Sequence, residues 1–459
     1  MRAPRRLAAI AALALPFACA ASDPPQRPAP AEAPSAIASG LAPPGPAPRP
    51  RPACPETLAG SGAWPRPEDF TKVVPSKPGA LGHLEQRWSG RPARLRFLGA
   101  HLFDLLGKLR HEGGGGDAER RRVACAALDA VARAGAPVVR LWGFLKATGS
   151  PDEVGAAADM LALLLDENAR RERPLRFVVT LVNHQAGYGA PDPSRSLDDQ
   201  DPKSPWHARQ LYLGGGWKAR GGGSLAERIE AFAARPEIAE SKEIIGWELV
   251  NELDTFRSVA SGALAGVEAE ALRREFLIPA LGVLSARFPQ PVLVGDLRGH
   301  AASYIEFARS LLAALPAEAR GRLVWTGHVY APKVASAKDP ALGRATWKLD
   351  KDLAIAAEHG LPFLLGEIGQ HVPGGAARFC GGGAAHDLPQ LFGAVLEGRP
   401  AIEAALFWGE GLCRLEIPGS EGAWVSIGAG GDSADIGPEE VAAREALRGE
   451  RGKARFLAD

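Results

Sequence analysis

The chain has no charge of one sign to spend on a polyanion. Its 54 Lys and Arg residues meet 53 Asp and Glu, a formal net charge of +1 over 459 residues, and no basic run is interleaved with aromatics. A nucleic-acid partner, which calls for a basic patch or stripe, is not expected. No Gly-rich dinucleotide fingerprint follows the first apolar strand pattern. Gly113–Gly116 precede a helical stretch, yet no Lys-Ser/Thr follows, so they read as a surface loop rather than a phosphate cradle. "GGGSLAE" at 221–227 holds a serine as a nucleophile elbow would, but lacks the second Gly and any preceding strand. His-Glu-x-x-His and Cys-x-x-Cys are both missing, and neither a catalytic metal nor a cofactor is expected.

What is present begins with a leader. Arg2, Arg5 and Arg6 precede an apolar stretch from Leu7 to Phe17, followed by "ACAAS". That order matches a charged n-region, an h-region too short to span a bilayer, and a small-residue cleavage site. Residues 1–20 are therefore read as a signal peptide, and the protein as secreted or held at the cell surface. Two outcomes stay open for its end: cleavage after Ala20, or lipidation of Cys19 in the loose lipoprotein box "LPFAC", which would anchor the chain to a membrane. Residues 21–55 are rich in Pro and Ala, bury too little apolar surface to fold, and read as a semi-rigid linker. Cys54, Cys125, Cys380 and Cys413 remain, an even number that suggests disulfides in an oxidising compartment. Cys380 with Cys413 is the preferred pair, and Cys125 sits in a helical pattern where an unpaired small hydrophobe would serve.

After a lead-in over 56–91, short apolar runs alternate with longer amphipathic ones, as βα units do. The strand candidates are "LRFLGAHL", "PVVRLW", "LRFVVTLVN", "EIIGWELVN", "PVLVG", "RLVWTGHVY", "LPFLLGEIG" and "AIEAALFWG". Eight strand–helix units over 92–459 predict an α/β fold of the (β/α)8 barrel type, with a doubly wound sheet as the runner-up. Arg140, Asn183, Asn251, Glu252, His328, Tyr330, Glu367 and Trp408 all fall at or just past the C-terminal end of a predicted strand. In a barrel those ends converge on one face, where sites are built. Polar turns after strands explain one or two such residues, but poorly explain the set.

Glu252 ends the fourth predicted strand and Glu367 the seventh, which places two carboxyls across the barrel mouth. Glycoside hydrolysis needs such a pair, one protonated and one ionised, so their surroundings must differ. Arg140 and the Tyr330 hydroxyl are placed to keep a neighbouring carboxylate ionised. Glu248, inside the same strand as Glu252, reads as a structural partner for Arg140.

These residues carry a resemblance. "WELVNEL", "GHVYAP", "LLGEIGQ" and "ALFWGEG" resemble the strand-four, -six, -seven and -eight signatures of the retaining clan of barrel glycosidases. Within it the chain most resembles glycoside hydrolase family 5, and "VVRLWGF" and "VTLVNHQAGYG" are similar to its endo-β-1,4-mannanases. The resemblance spans residues 92–415 in six ordered motifs. It implies Glu367 as nucleophile and Glu252 as general acid/base. It also implies substrate contacts or support from Arg140, Trp142, Asn183, His184, Asn251, His328, Tyr330 and Trp408. The implied partner is a polysaccharide, β-mannan or a related β-glucan, bound by a monomer. Leu253, Ile368 and His184 depart from the family's usual residues, which leaves the chemistry intact and the sugar open.

Trp142, Phe144, Tyr188, Trp206, Tyr212, Trp217 and Trp424 fall in predicted loops after strands, where aromatic rings could pack on sugar faces or simply pin the loops. Trp247 and Trp325 lie inside strands and read as core. Beside the hydrolase, a barrel that binds polysaccharide without cutting it remains the second reading, disfavoured by the presence of both Glu252 and Glu367.

Overall fold

The structure is a computed structural model. It describes residues 64–427 apart from 103–104, 112–115, 134–135, 146–150, 184–211, 222, 254–268, 296, 298–300, 332–339, 371–394, 397, 408–412 and 417–423. The predicted signal peptide, the linker, Cys19, Cys54, His184, Tyr188, Trp206, Asp254, Cys380, Trp408 and the predicted last helix lie outside the described residues.

An antiparallel three-stranded sheet comes first: β1 (Lys72–Val74), β2 (His83–Trp88) and β3 (Arg91–Arg94). The barrel follows, with β4 (Phe97–His101), β5 (Val138–Trp142), β6 (Arg176–Thr180) and β7 (Ile244–Glu248) as its first half. Its second half is β8 (Val292–Gly295), β9 (Leu323–Ala331), β10 (Phe363–Gln370) and β11 (Ala404–Phe407). Each strand pairs in parallel with the next, and β11 pairs with β4 to close the ring. Two short strands, β12 (Cys413–Glu416) and β13 (Trp424–Ile427), form an antiparallel pair. The eight predicted strands are thus the eight staves of a (β/α)8 barrel.

Strands such as VVRLW in β5 and RFVVT in β6 are buried at every position, because one face meets the barrel lumen and the other the helices. Alternation along them separates two cores. Phe97, Val138, Val178, Ile245, Leu293 and Val324 fill the lumen. Val139, Phe177, Val179, Trp247, Trp325 and Leu365 pack outward against helices such as Pro151–Ala169. Trp247 and Trp325 are fully buried, and their indole N–H groups donate to Gln290 (3.2 Å) and Asp352 (3.1 Å). A buried indole without a partner would carry a desolvation penalty, which these bonds remove.

The lead-in does more than precede the barrel. Its sheet lies beneath the N-terminal end of the lumen, where Trp64 stacks on Trp88 (5.6 Å) and meets Phe97 edge-on (5.8 Å). Arg176, at the bottom of β6, donates to Gln86 Oε1 (2.8 Å) and the Pro174 carbonyl (2.6 Å), tying the two parts together. Apolar residues and this bonded arginine stop the lower end of the lumen, so chemistry is confined to the upper one.

The packing decides between readings that the sequence leaves open. Tyr212 and Trp217 are 0% and 2% exposed, packed on Phe276, with the Trp217 indole donating to the Glu275 carbonyl (2.9 Å). They pin a loop and offer no face to a sugar. Ser224 of "GGGSLAE" is a helix N-cap: its hydroxyl accepts from the Glu227 N–H, while the Glu227 carboxylate accepts from the Gly223 and Ser224 amides. Cys125 is disulfide-bonded, so its reading as an unpaired small hydrophobe does not hold.

Candidate active site

The upper end of the lumen is polar because β5, β7, β9 and β10 each deliver a charged or hydrogen-bonding residue there. Arg140 of β5 is fully buried at the centre. Its Nε donates to Glu248 of β7 (2.8 Å), one terminal nitrogen donates to Glu367 of β10 (2.6 Å), and the other to Asn251 Oδ1 (2.6 Å). The Thr180 hydroxyl donates to the same Glu248 oxygen. Glu248 therefore has the scaffold role expected of it: it fixes the guanidinium fork, which then meets Glu367 in one orientation.

Pairing between β6 and β7 extends past both strands through a parallel bridge of Asn183 with Asn251, and the Asn251 amide donates to the Val182 carbonyl (2.8 Å). The Asn251 carboxamide donates one hydrogen to Asn183 Oδ1 (3.0 Å). Its second hydrogen has no partner among the described residues. Directly after this bridge the backbone turns into the left-handed region at Glu252, where φ is 52°. Among the described non-glycine residues only Ser89 shares that feature. Such a conformation costs on the order of 1–3 kcal/mol and persists where the surroundings impose it, as active sites do. It falls at the residue whose buried carboxyl faces His328.

A bulge does the same for Glu367. The register of β10 against β9 shifts between Leu365 and Glu367, leaving Gly366 as the extra residue. A Cβ at Gly366 would lie 2.9 Å from His328 Nε2 and 3.1 Å from its Cδ2, so glycine lets the imidazole lie against the bulge. His328 Nδ1 sits 3.3 Å from Glu252 Oε1 and 3.5 Å from Glu367 Oε2. The Tyr330 hydroxyl donates to Glu367 Oε2.

The two carboxyls are close but unlike. One oxygen of each, with one nitrogen of His328, lies within 4.8 Å of the others. Glu367 receives Arg140 and Tyr330 as donors. Burial pushes the Glu367 carboxyl above its ordinary range; His328, Arg140 and the Tyr330 hydroxyl pull against this, and Glu252 adds to the rise. Burial also opposes the charge of Arg140, but Glu248 and Glu367 outweigh it and hold the guanidinium protonated. Two carboxyls this close in a dry site share a proton. Arg140 and Tyr330 converge on Glu367 and favour its charged form.

The same three residues have the spacing to gather around a cation. Chemistry argues otherwise. Glu367 already engages Arg140 and Tyr330, and a buried positive charge 2.6 Å from one of its oxygens opposes a second cation.

Of the expected site residues, Arg140, Asn183, Asn251, Glu252, His328, Tyr330 and Glu367 meet at this one point; His184 and Trp408 lie outside the described residues. Trp142 is only 7% exposed; its ring lies beside the Arg140 guanidinium (5.0 Å) and stacks on Phe144 (5.8 Å). Sequence reasoning missed His101. It ends β4, is 1% exposed, and contacts both Arg140 and Gly366. The signal was available, since His101 closes "LRFLGAHL" as Glu367 closes its own strand.

Fold and site together define a (β/α)8 barrel with paired carboxyls at the C-terminal ends of its strands. No family model and no curated protein matches the chain. Among solved structures it is similar to the endo-β-1,4-mannanase from Thermotoga petrophila, at 16% identity over 80% of this chain and 78% of that one, TM-score 0.47. It is also similar to the catalytic domain of a Thermobifida fusca endoglucanase in complex with cellotetraose, at 17% identity over 82% and 97% of the two chains, TM-score 0.45. A β-mannanase from Streptomyces thermolilacinus with mannohexaose gives 15% identity over 84% and 99%, TM-score 0.41. At these scores the fold assignment rests on the chain's own strand pairing.

Proposed function

We propose that the chain is a retaining β-glycosidase that cleaves β-1,4-linked polysaccharide, with Glu367 as nucleophile and Glu252 as general acid/base. The observation that carries this reading is the unequal setting of two buried carboxyls whose oxygens lie within 4.8 Å. One oxygen of each within 4.8 Å suits direct attack by a carboxylate, for which separations of about 5–5.5 Å are usual, better than an inverting site, which holds a water across about 6.5–9.5 Å.

In the first step a Glu367 oxygen attacks the anomeric carbon while the Glu252 proton passes to the departing glycosidic oxygen, leaving a glycosyl ester on Glu367. In the second, the Glu252 carboxylate takes a proton from water, the water oxygen bonds to the anomeric carbon, and Glu367 leaves. Arg140 and Tyr330 hold the nucleophile ionised and aimed. With Glu252 protonated and Arg140 shared with Glu248, Glu367 presents a negative charge. That charge faces the positive charge developing on the sugar ring. The spare Asn251 hydrogen is placed for the hydroxyl beside the anomeric carbon.

Mannan is the preferred substrate because the ordered motifs around Arg140 and Asn183 resemble those of endo-β-1,4-mannanases; cellulose-type glucan is the runner-up within the same chemistry. Export, through either outcome at Cys19, fits a polymer met outside the cell. The test is release of reducing ends from mannan, glucomannan and soluble cellulose, with product sizing. Activity on mannan with a ladder of oligosaccharides is expected. Binding to these polymers without release of reducing ends would replace the enzyme with a polysaccharide-binding barrel.

A further inference from the structure

We propose that His101 is a positioning residue for Glu367, clamping from the first barrel strand both the guanidinium that pairs with Glu367 and the backbone that carries it. This inference rests on the nucleophile reading above and goes beyond it by naming what holds that nucleophile's supports.

His101 reaches two different parts of the Glu367 setting. Its Nε2 lies 3.0 Å from the Gly366 carbonyl, the peptide immediately before Glu367 and the extra residue of the β10 bulge. Its Nδ1 lies 3.5 Å from the same Arg140 terminal nitrogen that donates to Glu367 at 2.6 Å. The second contact is at the outer limit of a hydrogen bond, so the first is the stronger.

Chemistry fixes the tautomer. A carbonyl only accepts and a guanidinium only donates, so Nε2 carries the hydrogen and Nδ1 offers its lone pair. The ring must be neutral to do both, since a second hydrogen on Nδ1 would point at a cation. Burial first, and Arg140 next, hold the imidazole well below its ordinary value; His328 adds a smaller push the same way, against the Gly366 carbonyl. His101 is thus held toward its neutral form. A merely space-filling side chain at the end of β4 would need neither contact. An apolar residue there would leave the bulge carbonyl without this donor and Arg140 without this acceptor.

Three variants separate the contacts. His101→Ala removes both, His101→Gln can restore the donor to Gly366, and His101→Asn can restore the acceptor for Arg140. In His101→Ala, kcat on the polymer the wild type cleaves is expected to fall tenfold or more with KM within threefold. The acid limb of its pH profile should move upward, because Glu367 loses part of what favours its charge. The groups facing Glu367 are Arg140 from β5, His328 and Tyr330 from β9, and Glu252 after β7. None of them is altered, so the shift reports on positioning. At least one of the two amide variants should recover part of the loss. A folded His101→Ala protein with wild-type kcat and acid limb would overturn the proposal.

Nitrogen-15 NMR of wild-type His101 gives a readout independent of turnover and of variant folding. A hydrogen on Nε2 with no titration between pH 5 and 8 is expected, and a hydrogen on Nδ1 or a charged ring at pH 6 would refute the clamp. Should the wild type cleave no polymer, the glycosidase reading fails, while the NMR result still decides the contacts of His101.

Discussion

Replacing Arg140 by Met tests the electrostatics of the site through stability rather than turnover. Arg140 is 0% exposed, while Glu248 and Glu367 are each 2% exposed. Removing one partner of a buried pair costs about 3–5 kcal/mol, because a charge is left in low dielectric without compensation. Here one cation serves two carboxylates, so a loss toward 5 kcal/mol is expected at pH 7. The loss depends on pH with a definite sign. Without Arg140 the Glu367 carboxyl loses a charge that favours its ionised form, and its folded-state value moves further above the unfolded value of about 4.3. Burial already raises Glu367 in the intact protein, and the variant extends that rise. A carboxyl raised on folding does no harm below the unfolded value and destabilises progressively as pH climbs toward the folded one. The gap between wild type and Arg140→Met should therefore be small near pH 4 and widen toward pH 7, by about 1.4 kcal/mol for each unit of added shift. Urea unfolding at pH 4, 5.5 and 7 measures it. A gap under about 1 kcal/mol at pH 7, or one that does not change with pH, would refute the reasoning.

Activity should fall on the acid side as Glu367 takes up a proton. Since burial raises this carboxyl, the acid limb of kcat/KM is expected above the ordinary value of about 4.3, and a limb at or below it would contradict the assignment. Gly366→Ala puts a methyl 2.9 Å from His328 Nε2 and should displace the ring that lies between the two carboxyls. A fall of roughly tenfold to a hundredfold in kcat with the fold retained by circular dichroism is expected, and wild-type kcat would show that the close approach is unimportant. Tyr330→Phe removes a hydrogen bond to a charged oxygen. At about 1.5–3 kcal/mol, such a bond is worth about tenfold to 150-fold in kcat, and a change below threefold in steady-state assays would place the hydroxyl outside the mechanism.

How far the sequence led depends on what kind of order each feature needs. Strand order and the position of Glu252, Glu367 and Arg140 were legible, because a barrel puts every strand's C-terminal end on one face. The partnership of Arg140 with Glu248 followed from parity along one strand. The two devices that aim the carboxyls were not legible. The left-handed turn at Glu252 and the bulge at Gly366 are local departures from regular geometry. "VNEL" and "LGEI" carry no mark of them beyond a glycine. His101 was passed over although it obeys the same strand-end rule as its neighbours. Tyr212 and Trp217 stay open between two readings in the sequence, because an aromatic that pins a loop and one that stacks on sugar share the same composition. The lead-in was read only as a connection, since "HLEQRW" and "RPAR" make a sheet whose purpose, covering the lower end of the lumen, shows only in three dimensions.

The central claim is that Glu367 bonds to the sugar while Glu252 handles the proton. A 2-deoxy-2-fluoro glycoside with a good leaving group slows both steps, and the second more, so the ester accumulates on the enzyme. Mass spectrometry of peptides from the inactivated wild-type protein should find one glycosyl unit on the peptide bearing Glu367. Glycosyl on Glu252, or an enzyme that turns over substrate yet never becomes labelled, would contradict the account.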